Sequence, residues 1–173
     1  MRLLLQSIHS FDLKAFDWCL KRKNRALAVS MARICSYTAN GPLYVLAGLL
    51  FVLLQNWPLV QLMIAGFAVE RICYFAFKSF FKRNRPPAAI PGYRSVIEPS
   101  DQFSFPSGHT SAAFLVAGAL AFALPWTAWL MYPWAVGVGM SRVVLGVHFP
   151  TDTMAGAAMG FLICQSMINL LAV

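Results

Sequence analysis

Five apolar runs, each near the length of helix that crosses a hydrocarbon core, constrain this chain more than any other feature. A crossing takes about 20 residues of helix. The runs are Pro42 to Trp57, Leu59 to Phe80, Gly108 to Leu124, Trp126 to Gly146 and Thr151 to Val173. Of the 173 residues, 59% are hydrophobic and 12% charged, the latter about half the share of an average soluble domain. The fold class that follows is all-α: a polytopic transmembrane bundle of about five spans, or six if residues 26 to 40 join an extra crossing.

Pro58 and the pair Pro125-Trp126 fall between runs. Proline cannot continue the preceding hydrogen-bond ladder and biases its predecessor away from helix, so these positions predict tight turns. Residues 1–41 differ in kind, mixing apolar residues with charges and never running apolar for a full span. Leu5, Ile8, Leu13, Phe16 and Leu20 recur at roughly helical spacing, with Lys14, Lys21, Arg22, Lys23 and Arg25 between or after them. Such a segment lies at the headgroup boundary. The organisation read from the sequence is therefore an amphipathic interfacial segment over 1–41 and a single bundle over 42–173.

The formal charge of +8 could point to nucleic acid. The basic residues border apolar spans, however, so the bilayer and its anionic headgroups are the expected partner, with no nucleic acid and no obligatory protein partner. Cys19, Cys35, Cys73 and Cys164 have no metal-ligand spacing and read as small core residues.

Ionisable residues are costly inside a bilayer, so their placement is informative. Most gather at the ends of spans that hairpin connectivity puts on one face. Lys78 and Arg85 are seven residues apart, two helical turns or roughly 10.5 Å of rise, which stacks them on one side of the second span's end. Ser107 is a good helix N-cap, Gly108 lets backbone approach a ligand, and the first N–H groups of the third span then form an anion site beside His109. His148 and Asp152 are four apart. If Pro150 starts the fifth helix, the carboxylate reaches back to one imidazole nitrogen and leaves the other as base or nucleophile. Arg142 offers a planar fork for a phosphoryl group. Two histidines, three cations, a hydroxyl and a helix N-terminus make a phosphoryl-transfer constellation. Glu98 and Asp101 read as solvated loop residues. Glu70 and Arg71, neighbours pointing about 100° apart, are not expected to pair with each other; Arg33 or another cation is the candidate partner of Glu70.

The stretches KSFFKRNRP, PSGH and SRVVLGVHFPTD resemble the three-part signature of the type 2 phosphatidic acid phosphatase superfamily, K-x6-R-P, P-S-G-H and S-R-x5-H-x3-D. The resemblance implies that His148 attacks phosphorus to form a phosphohistidine, that Asp152 orients it, and that His109 protonates the leaving oxygen and later activates water. It implies that Lys78, Arg85, Arg142, Ser107 and the Gly108 N–H hold the phosphoryl oxygens. No metal or other cofactor is expected, because cations already supply the charge and carboxylate ligands are few.

Among substrates, a membrane lipid phosphate or pyrophosphate is expected: phosphatidate, phosphatidylglycerophosphate, undecaprenyl pyrophosphate or a lipid A phosphate. A short chain with no asparagine glycosylation sequon suggests a bacterial enzyme of the cytoplasmic membrane, and the resemblance implies a site facing outward. With five spans the basic residues favour the cytoplasmic face instead, a conflict that a sixth crossing removes. A phosphotransferase passing the group to a lipid acceptor and a non-catalytic anionic-lipid binder remain as alternatives.

Overall fold

The computed structural model describes residues 2–21 and 25–171; Arg22 and Lys23 lie outside the described residues, as do the side chains of Leu5 and Leu20. The helices are α1 (Arg2–Leu20), α2 (Arg25–Tyr37), α3 (Gly41–Leu53), α4 (Trp57–Phe81), a single turn α5 (Pro86–Ala89), α6 (Gly108–Ala123), α7 (Ala128–Val144) and α8 (Pro150–Leu171). The architecture is a transmembrane helical bundle, and Pro58 and Pro125 stand in its turns. Asn56 caps α4 by accepting the Leu59 N–H at 3.3 Å, with Pro58 just inside the helix start, and Pro125 opens a 3-10 turn into α7.

α4 and α8, with 25 and 22 residues, are each long and apolar enough to cross a membrane alone. α2 and α3 pass the same test only as a pair bent by 43°. The run beginning at Pro42 is therefore half of a broken helix pair, because α3 has 13 residues and rises only about 20 Å. α6 and α7, with 16 and 17 residues, are also short for a crossing.

The outside of the bundle is apolar: Ile64, Ile72, Phe75, Trp129 and Leu162 are exposed while Glu70, Ser111 and Asp152 are buried. That inversion of a soluble protein's pattern suits helices solvated by lipid tails.

α6 sits at the centre, packed against α4, α7 and α8, and nine consecutive-turn residues from Thr110 to Ala119 are buried, mostly alanines, serine and glycine. Gly156 and Gly160 of α8 explain how close the two backbones come. A Cβ at Gly160 would run into the Ser111 carbonyl, and one at Gly156 would stand 2.5 Å from the Ser107 carbonyl. Small residues four apart let helices approach to backbone contact, the main source of association where lipid replaces water. The contact also ties the start of α6, which carries Ser107 and His109, to the start of α8, which carries Asp152.

α1 docks through Asp12 and Phe16, one turn apart and both buried. Phe16 packs edge-on against Tyr93 and Phe149, with ring centroids 5.1 and 5.7 Å away.

Candidate active site

α4 ends at Phe81, not at Arg85. Lys82 takes a left-handed conformation (φ 44°) and its N–H closes on the Lys78 carbonyl, so the chain leaves the helix before the expected two-turn stack is complete. Arg85 nevertheless returns to Lys78, because both bind one carboxylate. Asp101 Oδ1 accepts from Lys78 Nζ at 2.6 Å and from Arg85 Nη2 at 2.6 Å, while its Oδ2 accepts from Tyr74 Oη at 2.5 Å. Lys78 also donates to the Phe103 carbonyl. Asp101 is thus the counter-ion of the site rather than a solvated loop residue. Burial pushes its carboxyl up, but hydrogen bonds from Arg85, Lys78 and Tyr74 outweigh burial and hold it well below the usual carboxylate range.

The loop between α7 and α8 presents His148. Gly146, at φ 79°, makes the turn, and Tyr93 fills the space a side chain there would need. Arg85 Nη1 donates to the Val147 carbonyl at 2.7 Å and meets His148 Nε2 at 3.2 Å. A guanidinium only donates, so Nε2 is the acceptor and the ring proton sits on Nδ1, facing Asp152.

Asp152 stands as the early helical position expected from Pro150 at the start of α8, but it does not hydrogen-bond the histidine. Nδ1 and Oδ2 are 3.8 Å apart, and Nδ1 is buried without a partner among the described residues. Asp152 Oδ2 accepts the Phe149 N–H at 2.8 Å instead.

Ser107 occupies the N-cap position of α6 without a side-chain capping bond. Its hydroxyl pairs with Thr110 Oγ1 at 2.9 Å, and its N–H donates to the Asp152 carbonyl at 3.0 Å. Gly108 is required by packing: a Cβ there would stand 2.7 Å from Tyr74. His109 Nε2 shares a 3.1 Å hydrogen bond with Asn40 Oδ1, at the break between α2 and α3. Arg142 Nη1 donates to Ser36 Oγ at 2.7 Å, and its buried Nε has no partner among the described residues.

Arg85, Gly108, His109 and His148 line the polar end of a cavity of about 500 Å³, whose other end is formed by Val45, Met63, Ile64 and Phe67 of α3 and α4. Arg142 lines a second cavity of about 280 Å³ that shares His109. Lys78, Ser107 and Asp152 are buried behind these walls. Among the described residues no group of three or more His, Cys, Asp and Glu side chains could hold a metal ion.

Deeper in α4, Glu70 and Arg71 do pair, with Nε and Nη2 of Arg71 donating to the two carboxylate oxygens at 2.5 and 2.7 Å. The long arginine arm curls around the helix and overcomes the angle between neighbouring residues. Arg33 bonds the Val96 carbonyl instead, and Ser111 donates the further bond to Glu70.

The sequence reading did not find Asp101, Ser36, Asn40, Arg83 or Asp12. Asp101 had one signal, an acid in the loop joining two cationic motifs.

The bundle is similar in fold to a crystal structure of Aquifex aeolicus LpxE, with a TM-score of 0.80 at 24% identity over 91% of this chain and 94% of that one. In sequence, it is 33% identical over 108 residues to the bacitracin transport permease protein BcrC of Bacillus licheniformis, covering 62% of this chain and 53% of the relative. It is 34% identical over 134 residues to phosphatidylglycerophosphatase B of Bacillus subtilis, covering 70% of this chain and 63% of the relative. The chain thus spans between half and two thirds of the length of these two relatives. With the model of the PAP2 superfamily matching residues 58–172, the chain belongs to that superfamily.

Proposed function

We propose that the protein is a membrane lipid phosphatase working through a phosphohistidine. The carrying observation is the shape of the main cavity, apolar between α3 and α4 and lined by Arg85, His109 and His148 at its other end. A lipid chain fits the first part and a phosphate the second. The name of the Bacillus subtilis relative favours the same class of substrate.

His148 Nε2 attacks phosphorus as the bond to the leaving oxygen breaks, and His109 gives that oxygen a proton. A water then loses a proton to His109 and attacks phosphorus, the P–N bond breaks, and inorganic phosphate departs. Arg85, Lys78 and Arg142 stabilise the equatorial oxygens. Asp101 holds Lys78 and Arg85 in place between turnovers. The long gap from Asp152 to Nδ1 closes as the imidazole gains charge.

Assay of the detergent-purified protein on phosphatidate, phosphatidylglycerophosphate, undecaprenyl pyrophosphate and lipid A should give phosphate release that persists in excess EDTA. No release from any of the four would refute the reading, and the ranking of kcat/KM assigns the substrate.

The pH profile tests the nucleophile. Burial pushes the His148 imidazole down to about 4, with Asp152 pulling the other way and Arg85 and Arg142 adding to the fall. The neutral ring is the nucleophile, so on the acid side activity is lost as pH drops through that lowered value. After correction for ionisation of the substrate phosphate, the acid limb of kcat/KM should lie below the ordinary histidine value of about 6.5. A limb above it would contradict the buried, neutral histidine.

A further inference from the structure

Arg83 lies outside every role assigned so far, yet its guanidinium joins three elements. Nη1 donates to Asp152 Oδ1 and to Thr151 Oγ1, both at 2.8 Å, and Nη2 donates to Asp12 Oδ2 at 2.6 Å. Asp12 in turn accepts from the Thr151 N–H at 3.0 Å and from the Thr151 hydroxyl at 2.5 Å. Both carboxylates are 0% exposed, and the guanidinium stacks 4.6 Å over the Phe149 ring.

Charge decides what this arrangement can do. Buried ions persist only when paired. A lone Arg83 would neutralise Asp152 and remove the negative field that His148 needs when it becomes cationic. With Asp12 sharing the guanidinium, the cluster retains one negative charge, which matches one imidazolium or phosphohistidine. The same bonds fix Asp152 Oδ1, and so set where Oδ2 stands relative to Nδ1. They also fasten α1 to the first turn of the helix that follows the nucleophile.

We propose that Asp12 and Arg83 are positioning residues for phosphoryl transfer, with α1 supplying the second carboxylate that keeps Asp152 effectively anionic toward His148. The proposal rests on the phosphohistidine reading above. It makes α1 part of the catalytic apparatus rather than only an interfacial anchor.

The test is steady-state kinetics of the full-length protein in detergent on a short-chain phosphatidate, across pH, for Asp12→Asn, Asp12→Glu and Arg83→Gln. Charges facing His148 from the surrounding elements are Asp152 of α8, Arg85 of the loop after α4, Arg142 of α7 and His109 of α6, all unchanged in these variants. Asp12→Asn should lower kcat by about 10- to 100-fold with KM little changed. Its acid limb should move to lower pH by about 0.5 unit or more, because the imidazolium loses an anion. Arg83→Gln should move the limb to higher pH, because Asp152 loses a cation. Asp12→Glu keeps the charge and should recover most of kcat.

A purely structural Asp12 would leave the Asp12→Asn limb where it is in the parent, and an unshifted limb in either variant, or Asp12→Glu no better than Asp12→Asn, overturns the proposal. If Asp12→Asn does not fold, Arg83→Gln decides alone, and an unmoved limb is then fatal. An active His148→Ala protein would remove the underlying reaction. An inactive one beside an unshifted Asp12→Asn would remove only the role of Asp12.

Discussion

Replacing His148 by alanine is expected to lower phosphate release by at least about 10⁴-fold, the scale on which loss of a covalent nucleophile is felt. The imidazole is 2% exposed, and Nε2 faces Arg85 at the cavity's polar end. The nearby hydroxyls of Ser107 and Ser36 are engaged elsewhere, Ser107 with Thr110 and Ser36 with Arg142. The bundle should survive the change, because the ring's bond to Arg85 is duplicated by the Arg85 donation to the Val147 carbonyl, and Asp152 keeps its bonds to Arg83 and the Phe149 N–H. Orthovanadate should still bind through Lys78, Arg85 and Arg142, and weak retained binding with lost turnover separates the nucleophile from a phosphate anchor. Turnover within tenfold of the parent would refute the phosphohistidine.

What the sequence made legible, and what it did not, divides along a physical line. Apolar run length and proline punctuation placed α4, α6, α7 and α8 closely, since these depend on local composition. The bend between α2 and α3 depends on how Asn40 meets His109 and how α2 lies along α7, which no local pattern encodes. The same division holds in the site. Residues whose chemistry is carried by spacing, such as His148 and Asp152 four apart, were readable. Their counter-ions were not: Asp101 reaches Lys78 from 23 residues away, and Asp12 reaches Arg83 from 71. Burial of so many cations demanded such partners, but long-range pairing is a property of the folded loops. The sequence pattern singles out neither Gly156 nor Gly160, and only the packed backbones show that α6 needs both.

His109→Ala should lower kcat by about 10²- to 10⁴-fold on an alkyl phosphate, the contribution of a positioned general acid. The size of the loss should depend on the leaving group, which distinguishes His109 from the cations around it. A lipid alkoxide is a poor leaving group and needs a proton as the P–O bond breaks, whereas p-nitrophenolate leaves without one. On p-nitrophenyl phosphate the first step should therefore be nearly as fast as in the parent, and phosphohistidine should accumulate because its hydrolysis still requires His109 as base. A burst of nitrophenol followed by slow turnover is the expected record. Asn40 sets the ring's direction through Nε2, so Asn40→Ala should reproduce a milder form of the same leaving-group dependence. An equal loss on both substrates would place His109 among the groups that bind phosphate, because stabilising the transferring oxygens is indifferent to what departs.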